Sequence, residues 1–213
     1  INGLFAELGR TIPGISDLQG PSKFASSQAV IKTLAKKPQC MSLVGEFGLE
    51  LEQMTSAHNP TKNGVRAVWL DVYNKSGRNG LLHGSAYADA EKNVSAIHSP
   101  ALTVIGECTP STYYKAMELS NIEEGLIPRF LAVNYAGKRV YFNEERKIGM
   151  DESMLRRVAD IAIASISLSQ SNNVIDIDFA PGIKKHLREF GMYCTDKINE
   201  AESSLTAELW NRI

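Results

Sequence analysis

Two apolar runs in this chain end on the same pair of residues. Leu43-Val44-Gly45-Glu46 and Val104-Ile105-Gly106-Glu107 each pass from aliphatic side chains directly into a glycine and a carboxylate. Short continuous apolar runs bounded by turn residues are the pattern of strands covered on both faces, the condition of a parallel sheet. In such a sheet, ligands bind beyond the carboxyl ends of the strands. Glu46 and Glu107 are therefore expected at one edge of the sheet, and side by side if the two strands are neighbours. A carboxylate there can orient or deprotonate an attacking water, or hold a magnesium ion through water. Each glutamate can equally serve only to cap the turn that follows it.

The segments between these runs carry helical periodicity. In residues 21–37, Phe24, Gln28, Ile31 and Leu34 recur at helical spacing and Pro21 suits a first turn. Lys36 and Lys37 suit the negative end of the helix dipole before Pro38 stops it. Residues 62–74 read as the clearest helix, with Val65, Val68, Trp69 and Val72 on one face. Residues 76–94 lose that period, contain three glycines and read as a long loop or irregular hairpin. Residues 110–119 are expected to be a helix that Thr109 can cap, and residues 130–135 a third strand. After Gly149 the character changes. Met154, Leu155, Val158, Ile161, Ala162 and Ile166 mark an amphipathic helix with Asp151 as its cap. Residues 174–179 alternate strictly and read as a half-exposed strand, and Pro181 opens a last helix. The expected class is α/β, with an incomplete parallel-sheet core over residues 1–148 and a mostly helical C-terminal extension over 149–213.

Composition narrows the function classes. Lys and Arg total 23 against 24 for Asp and Glu, so any nucleic-acid binding must come from a local patch. Cys40, Cys108 and Cys194 lie far apart and are odd in number, which fits neither a disulfide framework nor a zinc knuckle; a reducing cytoplasm is the simplest setting. Cys108 is expected as a small buried neighbour, because no histidine close in sequence can activate it as a nucleophile. His58, His83, His98 and His186 lack metal-ligand spacing and are expected in loops or on the surface. No apolar run approaches the roughly 18–20 residues needed to cross a bilayer, so no membrane partner is expected, and no secretion signal is visible. The chain opens on Ile1 and stops inside a helical pattern, so it is expected to be an excised or incomplete piece of something longer.

Three segments carry a family resemblance when taken in order. CMSLVGEFG at 40–48, RAVWLDVYNKSG at 66–77 and SPALTVIGECTPSTYYKAMELSNIEEGLIPRFLAVNYAGKR at 99–139 resemble the ATPase region of phage- and plasmid-type primase–helicase proteins. The order is also similar to that of minichromosome-maintenance helicases. The resemblance implies a RecA-like or AAA+-like core, part of a replicative helicase of a phage or other mobile element. Such a motor couples hydrolysis of ATP, with magnesium, to movement along DNA. On that basis Glu46 acts on the attacking water, Thr109 senses the γ-phosphate and Glu107 is a further group at the nucleotide. Arg129 is a finger that completes the site of a neighbouring subunit in a homo-oligomeric ring; a salt bridge to Glu123 or Glu124 is the alternative for the same side chain. The 76–94 loop then faces single-stranded DNA, with Lys75, Arg78 and Lys92 as phosphate contacts beside His83 and Tyr87. Asp89 and Glu91 in the same stretch suit a plain solvated loop.

The sequence departs from that family pattern twice. Gly45 stands where the usual Asp-Glu pair has its aspartate, and no G-x-x-x-x-G-K-[ST] occurs anywhere. Without that loop, no nest of backbone N–H groups and no lysine is available for the phosphates. The loop is expected upstream of Ile1. Two alternatives stand beside the motor: a non-catalytic DNA-binding or oligomerisation module on the same fold, and a metal-dependent hydrolase built on Glu46 and Glu107.

Overall fold

A computed structural model describes residues 2–56, 58–84, 86–116, 125–135, 137–138, 141 and 151–211. In chain order its first elements are α1 (Asn2–Leu8), α2 (Ser27–Lys36), β1 (Gln39–Val44), α3 (Phe47–Thr55) and α4 (Pro60–Asn74). Then come β2 (Leu81–Leu82), β3 (Ile97–His98), β4 (Ala101–Gly106) and α5 (Pro110–Ala116). The C-terminal helices are α6 (Glu152–Gln170), α7 (Ile183–Asn199) and α8 (Ser204–Asn211). The chain is mixed α/β. No described helix is long and apolar enough to cross a membrane.

β1 and β4 run parallel, in register from Gln39 opposite Ala101 to Val44 opposite Gly106. On the other flank of β1, Gln19 bridges Met41 in parallel, and the Gly20 N–H donates to the Met41 carbonyl at 2.9 Å. Residues 19–20 thus give β1 a short second neighbour. A methyl group on Gly20 would stand 2.6 Å from Ser42 Oγ, so this approach needs glycine. β1 is covered throughout, with Cys40, Ser42 and Val44 buried and the alternate residues half-buried. β4 is open along one side, and Ala101, Thr103 and Ile105 are exposed. The short hairpin of β2 and β3 forms a separate antiparallel pair, Leu81 opposite His98.

Side-chain caps set several helix starts. Ser26 accepts from the Ala29 N–H, Asn59 accepts from the Lys62 N–H ahead of Pro60, and Asp151 accepts from the Ser153 and Met154 N–H groups. The expected helix over 21–37 therefore begins later, at Ser27. Gly20 is tied to β1, and Phe24 reaches the core from an irregular stretch instead of a first turn. One core joins α2, α3, α4 and the strands through Val30, Leu34, Leu51, Met54, Val65 and Trp69, among others. A second unites α1 and the turn Ile15–Leu18 with α6, through Leu8, Ile12, Ile15 and Ala162. Residues on both sides of the expected 148/149 boundary thus share a core.

Two expected strands are not strands. Residues 130–135 run as irregular chain after a 3-10 turn at Ile127–Arg129, with Leu131, Val133 and Tyr135 exposed. Residues 174–179 form no described pairing, and Ile175, Ile177 and Phe179 are exposed. Both have strand-type sequences, but among the described residues no ladder partner takes up their N–H and C=O groups. The expected helix over 110–119 is described to Ala116, and its remainder lies outside the described residues.

Candidate functional site at the carboxyl edge of the sheet

The parallel register brings the ends of β1 and β4 together. The Glu107 N–H donates to the Val44 carbonyl at 3.2 Å, and the Phe47 N–H donates to the Glu107 carbonyl at 2.8 Å. The turn after β1 is thereby stitched to the turn after β4. Glu46 sits at its apex with φ 52° and ψ 42°, the left-handed conformation, and caps α3 without a side-chain hydrogen bond. For a residue with a Cβ this conformation costs on the order of 1 kcal/mol or more and persists only where the surroundings over-determine it. Two close approaches supply that constraint. A methyl group on Gly106 would lie 2.3 Å from the Phe47 ring, and one on Gly48 would lie 2.4 Å from Thr112 Oγ1. Phe47 packs edge-on against Phe130 with ring centres 5.1 Å apart.

Glu46, Glu107 and Thr109 are all exposed at this edge. The Thr109 hydroxyl accepts from the Thr112 N–H at 3.4 Å and lies 3.1 Å from both Ser111 Oγ and Thr112 Oγ1. Thr109 thus occupies the capping position of α5 at the edge that carries both glutamates. Cys108 is exposed between them, where a buried neighbour was expected, because the chain has already left β4 and turns outward there. The four histidines are exposed. Among the described residues no group of three or more His, Cys, Asp or Glu is placed to hold a metal ion. Two carboxylates and a hydroxyl suit a magnesium ion held largely through its own waters. They do not suit a triphosphate, which needs a cluster of N–H donors and a cation.

Lys75 and Arg78 flank the contact made at the other end of β4. The Ser76 hydroxyl, just after α4, donates to the Pro100 carbonyl at 2.8 Å, and the Ser99 N–H donates to the Gly80 carbonyl at 2.8 Å. The C-terminus of α4 therefore meets the start of β4, roughly 20 Å from Glu107 at about 3.3 Å per strand residue. Lys75 pairs with Asp71 at 3.2 Å. Arg78 donates to Asp176 at 2.7 Å and to the Val174 carbonyl at 2.9 Å. Lys92 ends the 3-10 turn Ala90–Lys92, and its side chain lies outside the described residues.

Arg129 does not open a core strand with its guanidinium projecting from the sheet. It closes a 3-10 turn and folds back on α4, donating to the Gly125 carbonyl at 2.5 Å and to Asn74 Oδ1 at 3.0 Å, 5.0 Å above the Tyr73 ring. Glu123 and Glu124, its alternative partners from sequence, lie outside the described residues. A groove of about 710 Å³ along β4 is lined by Tyr73, Glu107, Thr109, Arg129, Leu131 and Val133, among others.

One arrangement had no signal in the sequence. Glu50, one turn beyond Glu46 on α3, is buried and sits between two ammonium groups, Lys62 Nζ at 2.6 Å and Lys23 Nζ at 2.7 Å. Lys62 is also buried and donates to the Phe24 carbonyl at 3.0 Å. Burial alone would push the Glu50 carboxyl up. The hydrogen bonds and charges of Lys23 and Lys62 outweigh it and hold the group below the ordinary glutamate range. A glutamate and a lysine beside helix starts read as solvated in sequence, and only the fold brings them together.

Comparison with protein-family models, curated proteins and solved structures gives no match to this chain.

Proposed function

We propose that this chain is part of an ATP-dependent replicative helicase or primase–helicase of a phage or other mobile element, coupling ATP hydrolysis to movement on DNA. The observation that carries this reading is the in-register parallel pair of β1 and β4, which sets Glu46, Glu107 and Thr109 at one carboxyl edge. That is the edge where α/β sheets bind ligands, and the three residues come in the order the family resemblance implies. Glu46 acts on the attacking water, and Glu107 and Thr109 stand beside the terminal phosphate. The triphosphate itself needs a glycine-rich loop that these 213 residues do not contain. In this reading the loop arrives on a strand that pairs with the open side of β4. The setting is a cytoplasmic homo-oligomeric ring on single-stranded DNA.

Arg129 is engaged within its own chain by the Gly125 carbonyl and Asn74 Oδ1, so a finger role towards another subunit requires its release from both. The engagement of Arg129 and Arg78 within the chain favours the second reading, a non-catalytic DNA-binding or oligomerisation module.

Mixing decides between them. In the full-length protein, Arg129→Ala subunits are combined with Glu46→Gln subunits. The motor reading expects each pure variant to be slow and mixed rings to regain ATPase, because some interfaces then pair an intact Glu46 with an intact Arg129. No recovery after demonstrated subunit exchange refutes the finger, and no ATPase in the wild-type protein refutes the motor.

A further inference from the structure

We infer that the Lys62–Glu50–Lys23 relay is a positioning device for Glu46. This rests on the reading of Glu46 as the residue that acts on water. The geometry has three parts. First, Glu46 holds a left-handed conformation that a non-glycine residue keeps only under constraint from its surroundings. Second, Glu50 lies one helical turn further on and is anchored on both oxygens: Oε2 by Lys62 from α4, Oε1 by Lys23 from the stretch that follows the bridge to β1. Lys62 also holds the Phe24 carbonyl, so α3, α4 and residues 23–24 meet at one buried point. Third, the three charges sum to one positive unit, and that surplus resides on Lys23, the exposed member, whose ammonium also feels the Glu46 carboxylate.

Stability alone does not account for such a cluster. A buried ion pair replaced by apolar side chains of similar volume is often neutral or stabilising. What apolar side chains cannot supply is a fixed rotation of α3 about its axis. A carboxylate that orients water has to be held within a fraction of an ångström, and an αL apex on an unanchored helix start has freedom to relax. Glu50 and Lys62 do not touch a reacting group. They act through the first turn of α3 and through Lys23.

The test separates positioning from folding and from catalysis. Glu50→Met/Lys62→Met is made in this chain, with Lys62→Arg as the conservative control. Backbone NMR reads the Glu46 Cα shift and the exchange rate of the Phe47 amide that donates to Glu107. The double variant should keep a cooperative thermal transition, while Phe47 exchange rises about tenfold or more and the Glu46 shift moves off its left-handed value; Lys62→Arg should restore both. A folded double variant with unchanged Glu46 and Phe47 signals overturns the inference. If the double variant does not fold, Lys23→Met, at a side chain 59% exposed, takes its place. It must shift the Glu46 signals at unchanged melting temperature, and unchanged signals again overturn the inference. In the loop-bearing full-length protein the same substitutions should lower kcat about tenfold with KM unchanged. A wild-type protein without turnover defeats the hydrolase reading, whereas the NMR result judges the positioning itself.

Discussion

Gly106→Ala is the most direct probe of how the two strand ends are locked. The added methyl would lie 2.3 Å from Phe47 Cγ and 2.6 Å from both Phe47 Cβ and Cδ1. Ordinary carbon contacts are about 3.5–4.0 Å, so a relative movement of about 1 Å or more is required. The clash with Cβ is decisive, because no rotamer moves that atom; the backbone of the Glu46–Phe47 turn has to shift. Overpacking of this kind costs about 1–3 kcal/mol, and weakening the Phe47 N–H to Glu107 bond adds about 1 kcal/mol. Alanine stiffens the unfolded chain relative to glycine and returns about 0.4–1 kcal/mol. The net loss is about 1–3.6 kcal/mol, or roughly 2–14 °C in melting temperature for a chain of this size. Gly45→Ala is the internal control, since nothing lies within 4 Å of its methyl, and it should be neutral or slightly stabilising. The assay is urea and thermal unfolding of both variants, with Phe47→Ala completing a double-mutant cycle with Gly106→Ala. A coupling of about 1 kcal/mol or more is expected. Refutation takes one of two forms: equal melting temperatures for the two glycine variants, or additive effects of Gly106→Ala and Phe47→Ala.

Two further outcomes follow from single groups. Glu50 is held below the ordinary glutamate value, so its contribution is fully present above about pH 4.3 and is lost as pH falls through the lower folded-state value. Urea midpoints measured from pH 6 down to about pH 2 should therefore fall less steeply for Glu50→Gln, and parallel curves would contradict the anchored carboxylate. Gly191 lies inside α7 with open space around it, so Gly191→Ala should stabilise by about 0.5–1 kcal/mol in the same assay, and a loss would show that the helix is packed there.

The strand core was legible in the sequence because both strands are short, aliphatic and punctuated by Gly-Glu, and the parallel pairing agrees with that reading. The long helix behind Asp151 was equally legible, since a capping side chain and a sustained period coincide there. Residues 21–26 misled because Pro21 and Phe24 satisfy a helical template that the tie of Gly20 to Met41 overrides. Residues 130–135 and 174–179 misled in the opposite way: alternation shows what a segment can pair with, but not whether a partner is present. At the site, the shared edge of Glu46 and Glu107 followed from strand polarity. The position of Arg129 did not, because its direction is set by Tyr73 and Asn74, more than fifty residues earlier in the chain. Glu50 and Lys62 were invisible because burial of a charge is a property of packing, not of local pattern.

The open side of β4 also governs how this chain behaves when concentrated. Ala-Leu-Thr-Val-Ile-Gly has no charge and no proline, is rich in strand-forming side chains, and presents Thr103 and Ile105 to solvent. Six-residue windows of that kind are the seeds of steric zippers, and natural edge strands guard against them with lysine, proline or a bulge. β4 has none of these guards. In the same groove, Leu131 and Val133 offer a second sticky ribbon of the same character. Among the described residues β4 pairs only with β1, so its other edge, left uncovered, is open to edge-to-edge stacking. Whatever lies along β4 therefore acts also as the chain's solubility guard.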